Sequence, residues 1–367
     1  MSVAAPGLYL GALVGSFLLA LLLTPVAAWL AIRFEIVDRP ADNKFHSEAT
    51  PYLGGIALAG GLIVASLATG GLSGQVLIIA LGGMALAICG LVDDLRTVGP
   101  VSKLVVETGA ALALWFAGVR GGLTDVYAID LLLTVLWVLA ITNAINMLDN
   151  MDGLTAGVVA IASFTFFLIA ASNGDYLVGA LALAISGASL GFLRHNFPKA
   201  RIFMGDAGSL MLGFLLAAVG LKLDLVGQRG FLLGAVPILV LGVPIFDMFL
   251  VVVARLWGGR PIYRGGTDHS SHRLVSLGLA DREVALVVYS AQMLCSALAV
   301  WLAIASDTML VITILALAFL AGALLLLMLR VPAGLHQSPQ GLVGLLAHRP
   351  RTGAHGAGLM SHREDAP

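Results

Sequence analysis

Charge is scarce in this chain. Asp, Glu, Lys and Arg together make up 11% of the 367 residues, where a soluble globular domain carries about a quarter. A soluble fold of this length could not hide the 59% of residues that are hydrophobic, so the bilayer is the expected solvent. The net charge of −1 offers no electrostatic footprint for a nucleic acid, and none is expected as a partner. Cysteine is nearly absent. Cys89 and Cys295 both sit inside apolar runs, where they read as small packing residues, and a disulfide framework is not expected. Residues 1–32 contain no charge, and Arg33 follows the apolar run rather than preceding it. A secretory leader places basic residues first, so this run reads as a retained transmembrane helix with its N-terminus outside.

Glycine, by contrast, is abundant, with 44 residues. Small-xxx-small pairs such as Gly153/Gly157 and Gly187/Gly191 suit close helix packing in lipid. Apolar stretches long enough to span, roughly 17–25 residues each, fall near 6–32, 52–70, 75–92, 103–119, 128–146, 154–172, 176–193, 207–223, 231–256, 284–306 and 308–330. The expected fold class is therefore an all-α integral membrane protein of about eleven transmembrane helices, with residues 1–330 as one polytopic domain. An outside N-terminus puts alternate connectors in the cytoplasm. Of the 20 Lys and Arg residues, all but Arg120, Lys222 and Arg229 then lie on the cytoplasmic side, as the positive-inside rule requires. The outside connectors are short, so chemistry is expected at the cytoplasmic face. Residues 331–367 are rich in Gly, Pro, His and Arg and read as a disordered cytoplasmic tail.

Polar residues gather in a few cytoplasmic segments. LVDDLRTVGPVSK, residues 91–103, carries Asp93 and Asp94, which on a helix diverge by about 100° and so can take two different roles. NAINMLDNMDGL, residues 143–154, places Asn143, Asn146, Asp149 and Asp152 three apart, one stripe on a helix, with Asn150 beside it. Interhelical hydrogen bonding could account for one asparagine there, but poorly for five polar side chains. RHNFPKARIFMGDAGSLMLGF, residues 194–214, has a glycine-rich helix start whose backbone N–H groups favour phosphate. Its Asp206 is either an N-cap or a carboxylate suited to Mg²⁺. RLWGGRPIYRGGTDHSSHRL, residues 255–274, carries His269, His272 and Arg273; with no cysteine nearby, phosphate contact is a better reading than zinc. DRPADNKFHSEATPYLGG, residues 38–55, adds Lys44 and His46. Each segment alone could be an ordinary solvated loop or helix end. Together they supply carboxylates and amides for Mg²⁺ and cations for phosphates, the set that phosphoryl transfer uses.

As a set, GLVDDL, NAINMLDNMDGL and FMGDAGSLMLGF resemble the polyprenyl-phosphate N-acetylhexosamine-1-phosphate transferases, the WecA/MraY-type superfamily, in its WecA-like branch. The resemblance runs from about Asp38 to Gly278. It implies transfer of a sugar-1-phosphate, GlcNAc-1-phosphate above all, from a UDP-sugar to a membrane polyprenyl phosphate. UMP is released, Mg²⁺ (or Mn²⁺) is required, and the location implied is the bacterial inner membrane. It further implies Asp93 and Asp94 near the lipid phosphate, with Asp93 as candidate base, and Asp206 with Asp149 on the metal. Asp152 and Phe203 would hold uracil, and His269 and His272 the diphosphate. Asn143, Asn146, Asn196, Lys44, His46, Lys103 and Arg273 would line the substrates. The chain departs from the pattern at Asn150, where relatives often have glycine, at Ser271, where many have a third histidine, and at Asn43, where arginine is usual. DHSSHRL lacks the triple-histidine run of the muramoyl-pentapeptide branch, which disfavours that branch without removing it. One-step attack and a two-step route through a carboxylate both stay open, and a homodimer is compatible. A secondary transporter is the reading from another class; it predicts polar residues near the bilayer midplane, whereas here they gather at span ends.

Overall fold

The structure, a computed structural model, describes residues 5–38, 50–60, 74–96, 98–223, 232–263, 265–304 and 307–332. It is an all-α membrane protein apart from one two-stranded ribbon. The elements run α1 (Ala5–Arg33), β1 (Val37–Asp38), β2 (Thr50–Pro51), α2 (described over 54–60), α3 (Gly74–Leu95), α4 (Pro100–Phe116), α5 (Tyr127–Leu148), α6 (Leu154–Ser172), α7 (Tyr176–Asn196), α8 (Gly205–Lys222), α9 (Leu232–Val240), α10 (Gly242–Trp257), α11 (Ser270–Ser276), α12 (Asp281–Leu302) and α13 (Asp307–Arg330). Among the described residues, eight helices are long and apolar enough to cross a membrane, or nine if the bent pair α9 and α10 counts as one span. Of the remaining expected spans, α4 has 17 residues, the lower limit for crossing at about 17–25. Most of the apolar run after α2 lies outside the described residues, as does the tail from residue 333.

The bundle centre is α6, α7 and α8, while α13 buries none of its apolar stretch. Apolar side chains gain nothing by leaving lipid for another helix, so close backbone approach decides the centre. Gly187 and Gly191 provide it. A Cβ on Gly187 would strike Leu13 O and Ser16 Oγ, and one on Gly191 would strike Phe17 O, both on α1. The other expected pair behaves differently: Gly157 lies against the Tyr289 ring, and Gly153 sits at φ +74° in the turn before α6.

The segment expected to span 231–256 is broken, with α9 and α10 meeting at 80°. Pro244 is the cause. It has no N–H to offer the carbonyl four residues back, Val240 O. The fully buried Gln292 of α12 supplies the missing donor, Nε2 to Val240 O at 2.7 Å. A freed carbonyl inside a span needs such a partner.

Candidate active site

Two glycines let the helix ends converge. Gly205 holds φ +67° at the start of α8, and a side chain there would collide with the Asp94 carboxylate. Gly90 on α3 packs directly on the Asp206 carbonyl. The ribbon assists, because Phe203 N donates to Pro51 O (2.8 Å) and Gly54 N to Phe203 O (3.0 Å), which fastens the start of α2 to the start of α8.

Asp93 and Asp94 take different partners, as their divergence on a helix allows. Asp94 accepts from the backbone N–H of Asp206 (3.0 Å) and of Ala207 (3.2 Å). The helix start expected to cradle a phosphate is thus capped by a carboxylate instead, because a buried acid gains most from the positive end of a helix. Asp93 Oδ1 accepts from Val98 N at 2.6 Å. Its Oδ2 lies 2.7 Å from Lys103 Nζ, which also donates to Asp206 Oδ2. Asp206 Oδ1 accepts from Asn146 Nδ2 at 2.8 Å, and the same nitrogen reaches Ser209 Oγ at 2.9 Å. Asp206 lies in the first turn of α8, after Met204 as N-cap, so it is not the cap itself. Helices α3, α4, α5 and α8 therefore meet at one charged cluster.

The stripe is helical only in part. Helix α5 ends at Leu148, Asp149 is its C-cap at ψ 54°, and Asp152 falls in the turn that Gly153 closes. Asn143 donates to Glu107 Oε2 at 2.6 Å. Asp149 is half-buried; its burial, then the charges of Asp206 and Asp94, push its carboxyl up to about 8. Asp152 accepts from Ala200 N at 2.7 Å. Buried Asn196 accepts from Gly153 N (3.0 Å) and donates to Ile202 O (2.9 Å), so it organises the turn on which Asp152 sits. Phe203 is half-buried, with Tyr52 edge-on at 5.9 Å between ring centroids.

The histidine segment folds as the short helix α11. His269 Nδ1 lies 2.8 Å from Asp247 Oδ2 of α10, while Asp247 Oδ1 accepts from both the N–H and the hydroxyl of Ser270. The rings of His269 and His272 are 5.6 Å apart. Burial, reinforced by neighbouring His269, lowers His272 to about 4, so it is neutral at physiological pH. Asp268 sits between Arg260 (2.5 Å) and Arg255 (3.3 Å). Against its burial, these arginines hold it below the usual carboxylate range. The Arg273 guanidinium is engaged by carbonyls, those of Asp268, Met328 and Val331, and ties the end of α13 to this segment. Lys44 and His46 lie outside the described residues.

Two carboxylates escaped the sequence reading. Glu107 and Asp247 are each buried among apolar neighbours. Each is the only acidic residue in its apolar stretch, 103–119 and 231–256. An ionisable residue at membrane depth is itself the signal that could have found them.

The donor set fits Mg²⁺. The Lys103 ammonium brings Asp93 and Asp206 onto a single cation, and Asp149 is close enough to Asp206 for their charges to repel. Among the described residues no three His, Cys, Asp or Glu side chains already form a metal cage. Mg²⁺ commonly binds through one or two carboxylates and completes its shell with water and substrate phosphates.

The sequence is similar to known proteins. The family model described as "Glycosyl transferase family 4" matches residues 76–224, the stretch that holds Asp93, Asp94, Lys103, the stripe and Asp206. A Bacillus subtilis (strain 168) protein named "Probable undecaprenyl-phosphate N-acetylglucosaminyl 1-phosphate transferase" is 34% identical over 291 residues, 76% of this chain and 80% of the relative. The chain belongs to glycosyl transferase family 4, the WecA/MraY superfamily. Within the family, a Mycobacterium leprae (strain TN) protein named "Decaprenyl-phosphate N-acetylglucosaminephosphotransferase" is 31% identical over 72% of this chain and 76% of its own. A Desulforudis audaxviator (strain MP104C) protein named "Phospho-N-acetylmuramoyl-pentapeptide-transferase" is 30% identical over 75% of this chain and 92% of its own.

Proposed function

We propose that this glycosyl transferase family 4 member transfers GlcNAc-1-phosphate from UDP-GlcNAc to a membrane polyprenyl phosphate and releases UMP. The observation that carries the reading is the meeting of Asp93, Lys103, Asn146 and Asp206 from four helices, in a chain with relatives named as GlcNAc-1-phosphate transferases at 34% and 31% identity. The phosphate oxygen of the lipid attacks the β-phosphorus. The bond between that phosphorus and the bridging oxygen breaks, and UMP leaves with the oxygen. A phosphomonoester is already mostly ionised near neutral pH, its second pKa being about 6, so Asp93 has only a residual proton to accept. Lys103 supplies positive charge where the two phosphates meet. Asn146 aligns Asp206, and Asp94 holds the helix start that carries it. Asp206 and Asp149 would hold Mg²⁺ (or Mn²⁺), which supplies charge neutralisation on the diphosphate when bound. His269, fixed by Asp247, and neutral His272 face the diphosphate, and Asp152 with Phe203 receives the uracil.

The same reading places the site at the cytoplasmic face of a bacterial inner membrane, with about eleven spans and the N-terminus outside, since that arrangement satisfies the distribution of Lys and Arg. The test is UMP release by purified protein given UDP-GlcNAc, polyprenyl phosphate and Mg²⁺, with the muramoyl-pentapeptide nucleotide run in parallel. Lipid- and metal-dependent UMP from UDP-GlcNAc is expected. Release with the pentapeptide nucleotide alone would move the chain to that branch, and none from any UDP-hexosamine overturns the reading.

A further inference from the structure

Asn150 and Ser271, the two pocket positions where this chain departs from its family's pattern, meet in the fold. Ser271 is fully buried, and its hydroxyl donates to Asn150 Oδ1 at 2.6 Å. The direction is fixed by the other end of the amide. Asn150 Nδ2 lies 3.0 Å from Met147 O, and a carbonyl can only accept, so the amide oxygen must face Ser271. Ser271 Oγ also lies 3.4 Å from His272 Nδ1, so the same serine touches the histidine it helps to place.

The helix that bears these residues needs such support. At seven residues, α11 is too short to be stable on its own propensity. Asp247 fastens one side through Ser270 and His269. Asn150 fastens the other, and it is the residue next to Asp149. The pair therefore sets the distance between the aspartate turn and the histidine helix, two segments separated by 121 positions in sequence.

We propose that Asn150 and Ser271 act as a positioning pair. Their hydrogen bond docks α11 on the end of α5 and sets the placement of His272 for the diphosphate of the nucleotide sugar. This rests on the function proposed above.

The test uses the full chain in detergent or nanodiscs with Asn150→Ala, Ser271→Ala, the double variant and Ser271→Thr. KM for UDP-GlcNAc and kcat are measured, together with hydrogen–deuterium exchange over residues 268–278. Loss of one such bond corresponds to about a tenfold rise in KM for each single variant, with kcat changed much less. The double variant is expected to be no worse than the weaker single, because one bond is lost in all three. Ser271→Thr retains the hydroxyl and returns KM to within about twofold of wild type. Exchange over 268–278 rises in both alanine variants, while 281–302 is unchanged. Additive effects in the double variant, unchanged exchange over 268–278, or a threonine variant no better than alanine each overturn the proposal. Absence of turnover in the wild type would overturn the functional reading instead, and the exchange data would still judge the pair.

Discussion

Replacing Lys103 with methionine should separate metal binding from turnover. The Lys103 ammonium joins Asp93 and Asp206 in the substrate-free protein. The three side chains are only 19%, 17% and 26% exposed, so solvent screens the contacts incompletely. A hydrogen bond to a charged group contributes about 1.5–3 kcal/mol. A divalent cation arriving at Asp206 must displace one such contact. Removing Lys103 removes that competition and should tighten metal affinity by about 10- to 100-fold. Turnover should fall by at least about 100-fold, the cost of losing one preorganised charge at a reacting phosphate. Lys103→Arg keeps the charge and should bind metal as the wild type does. The assay is a Mn²⁺ titration followed by electron paramagnetic resonance without nucleotide, paired with Mg²⁺-dependent thermal unfolding. Unchanged or weaker metal affinity in the methionine variant would refute the view that Asp206 receives the ion.

Further expectations follow from single contacts. Asp206→Asn should retain fold and lipid-micelle size on gel filtration yet lose at least about 100-fold in kcat; near-normal turnover would remove Asp206 from the metal. His272 sits at about 4 in the folded chain against 6.5 for its ordinary value, so the unfolded chain binds more protons between those pH values. Its contribution is therefore lost as pH falls from about 6.5 to 4, by up to about 3 kcal/mol. Denaturation curves of wild type and His272→Gln should converge at low pH, and parallel curves would contradict the burial of a neutral ring. Gln292→Leu strands Val240 O at the bend and should cost about 1–3 kcal/mol; an unchanged unfolding midpoint would show that the carbonyl finds another partner.

Some of this geometry was legible before folding was considered. The divergence of Asp93 and Asp94 on a helix already allowed separate partners, and the fold gives them Lys103 and the start of α8. Gly187 and Gly191 were readable because a four-residue spacing puts them on one helix face. The stripe was misjudged at its end. A three-residue spacing is uniform whether or not the helix continues, and only Gly153 at φ +74° marks the turn that carries Asp152 off the helix. The glycine-rich start of α8 was read as open to phosphate because no local rule says that Asp94, 112 positions away, will occupy two of its N–H groups.

By itself the sequence determined that the chain lives in a membrane, that its polar chemistry gathers at the ends of its spans, and which residue types that chemistry employs. Those are consequences of composition and short-range spacing, and both survive without knowing which helices touch. Tertiary structure decided the pairings: Lys103 between Asp93 and Asp206, Gln292 on the bend made by Pro244, Asp247 behind His269, and Asn150 against Ser271. Each is a hydrogen bond or ion pair between different elements of the fold. Buried polar groups mostly find partners, and only the packing of the helices determines which one is within reach.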